Sequence, residues 1–292
     1  MRHLSNRLGS SFLIFCLPFS LFTDTSLAST CTVKSGEERA SLVELYTSEG
    51  CSSCPRADKW LSQLDQQSND IEASKRTKLG KQIVPLAFHV DYWNYIGWVD
   101  PFSQSRFTSR QREIAHRGKL ATIYTPQVVL NGRDYRGWRQ HNIPALLKKV
   151  RGNLPQSDIS LKLNDTGSGR VNLQISATLR NGVNAEDAQL TIALFENNLK
   201  NSINAGENSG RVLSHDNVVR EISGPYQIPS SQIPSSAGKI SINKSFNLKS
   251  SWKTDDVGIA VFVQNHLTGE VYQVVSSPLN CKESGELIEA QL

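Results

Sequence analysis

Residues 42–64 read L-V-E-L-Y-T-S-E-G-C-S-S-C-P-R-A-D-K-W-L-S-Q-L, and their reading decides the fold expected of the chain. Leu42-Val43-Glu44-Leu45-Tyr46 is a short, largely apolar run of the kind that forms a buried strand. Thr47 to Gly50 is a turn. Cys51 and Cys54 follow, separated by two serines, with Pro55 directly after. Ala57, Trp60, Leu61 and Leu64 then recur at the spacing of one helix face. The order is strand, turn, C-x-x-C, helix. A helix begins with unpartnered backbone N–H groups and the positive end of its dipole, so a thiolate placed there is stabilised. Pro55 suits the first helical turn, where its missing N–H costs nothing. On this reading Cys51 is an exposed nucleophile and Cys54, inside the first turn, is the resolving thiol. A structural disulfide or half of a zinc site is the plainer alternative. The strand before the motif and the amphipathic helix after it favour redox chemistry.

Outward from this stretch, the pattern continues as alternating elements. Ile83 to Val90 is a second apolar run, read as a strand whose fully paired part starts at Leu86, because Pro85 has no N–H to give a ladder. Ser68 to Lys81, before it, reads as a solvated connector. Asp91 to Asp100 is dense in aromatics, and Ser103 to Lys119 is helical. Val128 to Leu130 is a strand, Asn131-Gly132 a hairpin turn, Asp134 to Arg136 the return strand and Ile143 to Val150 a short helix. The resulting order, β-α-β-α-β-β-α, is the thioredoxin arrangement. In such a site the Thr125–Pro126 bond is expected to be cis, with Pro126 beside the cysteines where an extended substrate lies.

After Gly152 to Ser157, a linker by composition, the pattern changes to alternation: Ile159-Leu161-Leu163, Val171-Leu173-Ile175, Leu190-Ile192-Leu194, Ile240-Ile242-Phe246, Val257 to Val263 and Val271 to Val275. Short strands separated by turns argue a β-sandwich. The expected fold is therefore an α/β thioredoxin-like domain (29–151), a linker (152–157) and an all-β sandwich-like domain (158–292).

The 292-residue length suits two such units. The N-terminus reads as a secretory signal over residues 1–28: Arg2 and Arg7 are the positive start, Ser11 to Phe22 the apolar centre, and Ser26-Leu27-Ala28 a small-x-small cleavage site. The apolar centre is too short to cross a membrane, and no later run is long enough. The expected location is exported, periplasmic or secreted. Formal charge is only +5, and no basic run with interleaved aromatics points to nucleic acid. Of the 5 cysteines, Cys16 lies in the signal. An even set of four remains, which an oxidising compartment makes meaningful. Cys51 pairs with Cys54, and Cys31 and Cys281, near the two ends of the mature chain, form a candidate structural disulfide.

The motifs C-S-S-C-P (51–55), H-V-D-Y-W-N-Y-I-G-W (89–98), Y-T-P-Q-V-V-L-N-G (124–132) and G-E-N-S-G-R-V-L-S-H-D-N-V-V-R (206–220) together resemble the secreted bacterial proteins grouped as domain of unknown function 1223. The resemblance spans nearly the whole mature chain. It implies a thioredoxin-like domain and a thiol-disulfide role, and supplies no substrate.

Ligand sites in open α/β sheets lie past the carboxyl ends of parallel strands. His89, Asp91 and Trp93, at the end of the second strand, are thus candidates to support the cysteines. His89 can bond a thiol or move a proton, or else be a satisfied histidine at a strand end. Trp93 and Trp98 can rim a substrate surface or simply cap the core. Asp134, Arg136 and the Arg106-Arg110-Arg112 group read as solvated or paired surface charge. The functional expectation is an exported thiol-disulfide oxidoreductase that needs no metal or other cofactor. Its partner would be a thiol- or disulfide-bearing protein or a small thiol. Two alternatives stand beside it. One is a copper(I) carrier using Cys51, Cys54 and His89, since soft thiolates select that ion. The other is a binding module with a permanent disulfide.

Overall fold

A computed structural model describes residues 30–75, 82–140, 142–150, 152–165, 169–230 and 238–281. The expected signal segment lies outside them. In chain order the strands are β1 (Thr30–Lys34), β2 (Ser41–Thr47), β3 (Ile83–His89), β4 (Gln127–Leu130), β5 (Arg133–Asp134), β6 (Ser157–Asp165), β7 (Arg170–Leu179), β8 (Ala188–Glu196), β9 (Leu199–Ser202), β10 (Val212–His215), β11 (Val218–Gln227), β12 (Lys239–Asn247), β13 (Val257–Asn265) and β14 (Val271–Pro278). The helices are α1 (Pro55–Lys75), α2 (Ser105–Arg117) and α3 (Ile143–Val150). The strands form an eight-stranded sheet ordered β14-β13-β8-β11-β3-β2-β4-β5, a four-stranded sheet ordered β1-β6-β7-β12 and the pair β10-β9.

This corrects the expected fold class. The described residues form a β-rich fold of three sheets, not an α/β thioredoxin-like domain followed by an all-β sandwich-like one. The large sheet takes strands from both sides of residues 152–157. The local order β2-α1-β3 was read correctly, with β2 and β3 parallel from Ser41↔Ile83 to Thr47↔His89. The partner on the far side of β3 is β11, more than a hundred residues on, joined in parallel at Val218↔Ala87. β11 in turn pairs antiparallel with β8. Periodicity reports which residues are apolar, not which strand a free edge will find, so the continuation of the sheet was invisible locally.

The large sheet is covered on both faces. Over β2 and β3, Val43, Leu45 and Ala87 pack against Ala57, Trp60, Leu61 and Leu64 of α1 and Ile143, Leu146 and Val150 of α3. Farther along, Leu190, Ile192, Leu194, Val257 and Ile259 pack against Ile159, Leu161, Leu173 and Ile175 of the four-stranded sheet, a β-sandwich-like core. The opposite face joins Leu42, Tyr46, Leu86 and Phe88 to Phe195, Ala260 and Phe262, under Phe107 and Ile114 of α2. Double burial explains why β2, β3 and β13 read as continuous apolar runs rather than alternation.

Two local expectations change and a third holds. α1 continues through Lys75, into the segment read as a connector, where Glu72, Ala73 and Lys75 are good helix formers. β3 is paired with β2 from Ile83, Pro85 included. The Ala87 N–H donates toward β11, to the Asn217 carbonyl at 2.7 Å; Pro85, two residues earlier, faces the same side, before β11 has begun, so the missing donor has no strand partner to lose. The hairpin at Asn131-Gly132 is present, with φ of 47° and 81°. A Cβ at Gly132 would collide with the Gly269 carbonyl, where the β13–β14 turn presses against this hairpin.

Candidate functional site

β2 delivers the chain to a tight turn in which the Cys51 N–H donates to the Ser48 carbonyl at 3.1 Å and the Cys54 N–H to the Cys51 carbonyl at 3.1 Å. The Cys54 carbonyl accepts the N–H groups of Ala57 at 2.8 Å and Asp58 at 3.1 Å. Cys54 is therefore the residue that caps α1, rather than one inside its first turn, and Pro55 is the first helical residue, in the first turn as expected. Cys51 and Cys54 are disulfide-bonded, with Cα atoms 5.4 Å apart, and Cys31 is bonded to Cys281.

The expectation of an exposed Cys51 is corrected: Cys51 is 1% and Cys54 0% exposed. The loop between β9 and β10 covers the turn. Asn208, itself fully buried, donates its amide to the Glu49 carbonyl at 2.8 Å and the Cys51 carbonyl at 3.0 Å. Glu207 accepts the Ser52 N–H at 2.8 Å, and that bond holds the exposed Glu207 carboxyl below its usual range. Gly206 rests against Trp98 and Ile96.

Beneath the turn lies a buried group of acids and histidines: Glu49, Asp58, His89, Asp100 and His215. Asp100 accepts the His89 Nδ1–H at 2.7 Å and the backbone N–H groups of Glu49 and Phe102 at 2.9 Å each. Glu49 accepts from Trp98 Nε1 at 2.8 Å, Asn201 Nδ2 at 3.0 Å and His215 Nε2 at 3.1 Å. The two imidazoles meet edge to face with centroids 5.0 Å apart. Their other nitrogens, His89 Nε2 and His215 Nδ1, are buried without a hydrogen-bond partner; His215 Nδ1 stands 3.8 Å from the Asp58 carboxylate. Burial pushes the Asp58 carboxyl up, against the pull of the two histidines. Burial alone would lower His89, but the Asp100 charge and hydrogen bond outweigh it and raise its pKa. Asp100 is the converse: burial pushes upward, and His89 with the two backbone donors holds the carboxyl below its usual range.

The other expected site residues are more scattered. Trp93 donates Nε1–H to the Thr125 hydroxyl at 2.7 Å and its Cβ abuts Gly50. The Thr125–Pro126 bond is cis, and the next residue, Gln127, pairs with Tyr46 near the end of β2. Trp93, Thr125 and Pro126 thus flank the cysteine turn. Asp91 instead accepts the Thr108 hydroxyl of α2. Arg110 is drawn inside, bonded to Glu44. Among the described residues no group of three or more His, Cys, Asp or Glu is arranged to hold a metal ion. The sequence reading missed Glu49, Asp58 and Asp100, which lie inside ordinary-looking stretches. Glu207, Asn208 and His215 belong to the 206–220 motif, a signal that was visible without an assigned role.

With this geometry in view, the comparisons define a class by fold and family. The family model described as "Protein of unknown function (DUF1223)" matches residues 42–264, and the chain belongs to that family. No curated protein matches it. Among solved structures, it is similar to a protein from Agrobacterium tumefaciens (23% identity, 88% of this chain and 99% of the other, TM-score 0.56). It is also similar to HBP35 of Porphyromonas gingivalis (16% identity, 88% and 81%, TM-score 0.63). At these identities the likeness carries the β-rich fold and nothing further.

Proposed function

We propose that the protein carries out thiol–disulfide exchange through Cys51–Cys54 in an exported, oxidising compartment, with a thiol- or disulfide-bearing protein or a small thiol as partner. The observation that carries this is the position of the pair. Cys54 caps a 21-residue helix, so the unpartnered N–H groups and dipole of α1 favour negative charge on sulfur there. Two disulfides in one chain suit export, since such bonds persist outside reducing compartments.

The exchange balances as follows. A partner thiolate attacks Cys51 Sγ, the Cys51–Cys54 bond breaks, and Cys54 leaves as a thiolate that then takes a proton. A second partner thiolate attacks the mixed disulfide at the partner's sulfur, releasing Cys51. The protein gains two electrons and the partner leaves as a disulfide; the reverse sequence reduces a partner. Lifting of the Asn208 loop gives the attacking sulfur access. His89, Trp93, Thr125 and Pro126 play supporting parts through the contacts described above, and Asp91, bonded to Thr108 of α2, does not.

The test is trapping. Cys54→Ser, made with the rest of the chain intact, should accumulate mixed disulfides through Cys51, and Cys51→Ser should trap nothing. Trapping by Cys51→Ser alone reverses the roles, and trapping by neither ends the proposal. The near-complete burial of both sulfurs favours a second reading, a permanent structural disulfide. A reduction potential below about −300 mV would support that reading instead.

A further inference from the structure

A groove of about 580 Å³ runs between the start of α1 and β10. It begins at Pro55, the residue after Cys54. Its lining carries both signs of charge: Arg56, Lys59 and Arg211 against Asp58 and Asp216. Arg56, Lys59 and Arg211 are exposed, and Asp58 is buried. His215 is also part of the wall; it is 2% exposed, and its Nδ1 has no hydrogen-bond partner. The space is large enough for a small molecule.

We propose that this groove holds a short, net-anionic peptide carrying a thiol or disulfide, as the small-molecule partner of Cys51–Cys54. Guanidinium and ammonium groups recognise carboxylates, and at the groove Lys59 and Arg211 are exposed whereas Asp58 is buried and Asp216 half-buried. The acids in turn select against a bare anion and for a zwitterion, whose amine meets Asp216 or Asp58 while its carboxylates meet Lys59 and Arg211. Arg211 already donates to Asn208 Oδ1 at 2.8 Å, so a carboxylate drawing on Arg211 also acts on the residue that covers Cys51. The thiol in this assignment rests on the exchange reading above; recognition of the peptide does not.

S-methylglutathione, a tripeptide with two carboxylates and one amine that cannot exchange, separates the two. Titrated into the full chain and followed by calorimetry, it should bind saturably and more weakly as salt rises. Lys59→Gln should weaken binding about tenfold, the scale of one charge-assisted contact, and Lys59→Gln/Arg211→Gln more. Both side chains are exposed, and circular dichroism verifies that the variants fold. No saturable binding up to about 1 mM, or binding unchanged in the double variant, overturns the proposal. Dithiothreitol, which is uncharged, reports on the cysteines alone. If it exchanges with Cys51–Cys54 while the tripeptide does not bind, the groove assignment fails and the exchange reading stands. If the tripeptide binds and dithiothreitol leaves the disulfide intact, peptide recognition stands and the thiol is withdrawn.

Discussion

Glu44 is fully buried in the centre of a strand, a position that is tolerable only because of Arg110. The guanidinium meets both carboxylate oxygens, at 2.7 and 3.0 Å, and the Tyr46 hydroxyl donates to the same group at 2.9 Å. Arg110 also lies over the rings of Phe88 and Phe262, so it joins β3 to β13. Arg110→Met should destabilise by roughly 3–5 kcal/mol, because it leaves a buried carboxylate alone; Glu44→Met in addition should recover much of the loss. Urea unfolding of the two variants checks this, and a loss under about 1 kcal/mol for the single change would mean that water reaches Glu44. His89 and Asp100 make a pH prediction. The Asp100 carboxyl is depressed, so its contribution is present above the unfolded value of about 3.9 and lost as pH falls through the folded value. The His89 pKa is raised, so its contribution is full below about 6.5 and lost as pH climbs through the folded value. Asp58 is raised and works against the pair, since stability is lost as pH rises above about 3.9 toward its folded value. Stability should therefore decline on the alkaline side of about pH 6.5, and His89→Gln should flatten that decline. A decline that persists unchanged removes His89 from the account. Neither pair was legible in the sequence. Arg110 shares a face with Phe107, Gln111 and Ile114 of α2, all buried, but two polar members disguise that face as solvated.

The elements that frame the cysteines were legible because their signals are local: an apolar run, a proline at a helix start, an Asn-Gly turn. β9, β10 and β11 were not. β9 alternates only between half-buried and exposed, β10 is four residues long, and β11 passes through two register shifts against β8, which breaks its period. The loop between β9 and β10 nevertheless covers the site: with Asn201 of β9 and His215 of β10 it reaches back about 150 residues to the cysteine turn, as in the 157-residue separation of Asn208 from Cys51. If that loop must lift before Cys51 is attacked, Asn208→Ala should speed reduction of Cys51–Cys54 by a small water-soluble phosphine. Losing two hydrogen bonds worth about 1 kcal/mol each raises the open population roughly 5–30-fold. The rate is read by quenched alkylation and mass analysis, with Cys31–Cys281 as internal reference. Equal rates in the variant and the parent chain would show that access to Cys51 does not depend on this loop.

At the scale of the molecule, two layers of β-structure share a core that neither forms alone. Ile159, Leu161 and Leu173 of the four-stranded sheet bury themselves on Leu190, Ile192 and Val261 of the large one. The alternation of β6, β7 and β8 announced such a sandwich, but not that the large sheet would continue through β11 into β3 and β2, since that join is a single registered pair, Val218↔Ala87. Among the described strands β1 is an edge of the smaller sheet, paired with β6, and Cys31 lies on it. Cys281 follows β14, the edge strand of the larger sheet. Their disulfide spans 250 residues, ties the two sheets together at one side and encloses nearly every described element in one covalent loop. In the chain-entropy model, cross-linking so long a loop stabilises by roughly 5 kcal/mol, chiefly by restricting the unfolded chain. Cys31→Ala/Cys281→Ala should accordingly lower the unfolding free energy by about 2–5 kcal/mol while leaving the geometry around Cys51 unchanged, because β1 and β6 lie in the four-stranded sheet and contribute no residue to the core packed on α1. The measurement is paired: urea unfolding for stability, and the trapping yield of Cys54→Ser in the same background for the site. A stability loss with trapping retained is expected. Lost trapping in a variant that still unfolds cooperatively would mean that the terminal disulfide holds the large sheet, and through β11 the Asn208 loop, in register.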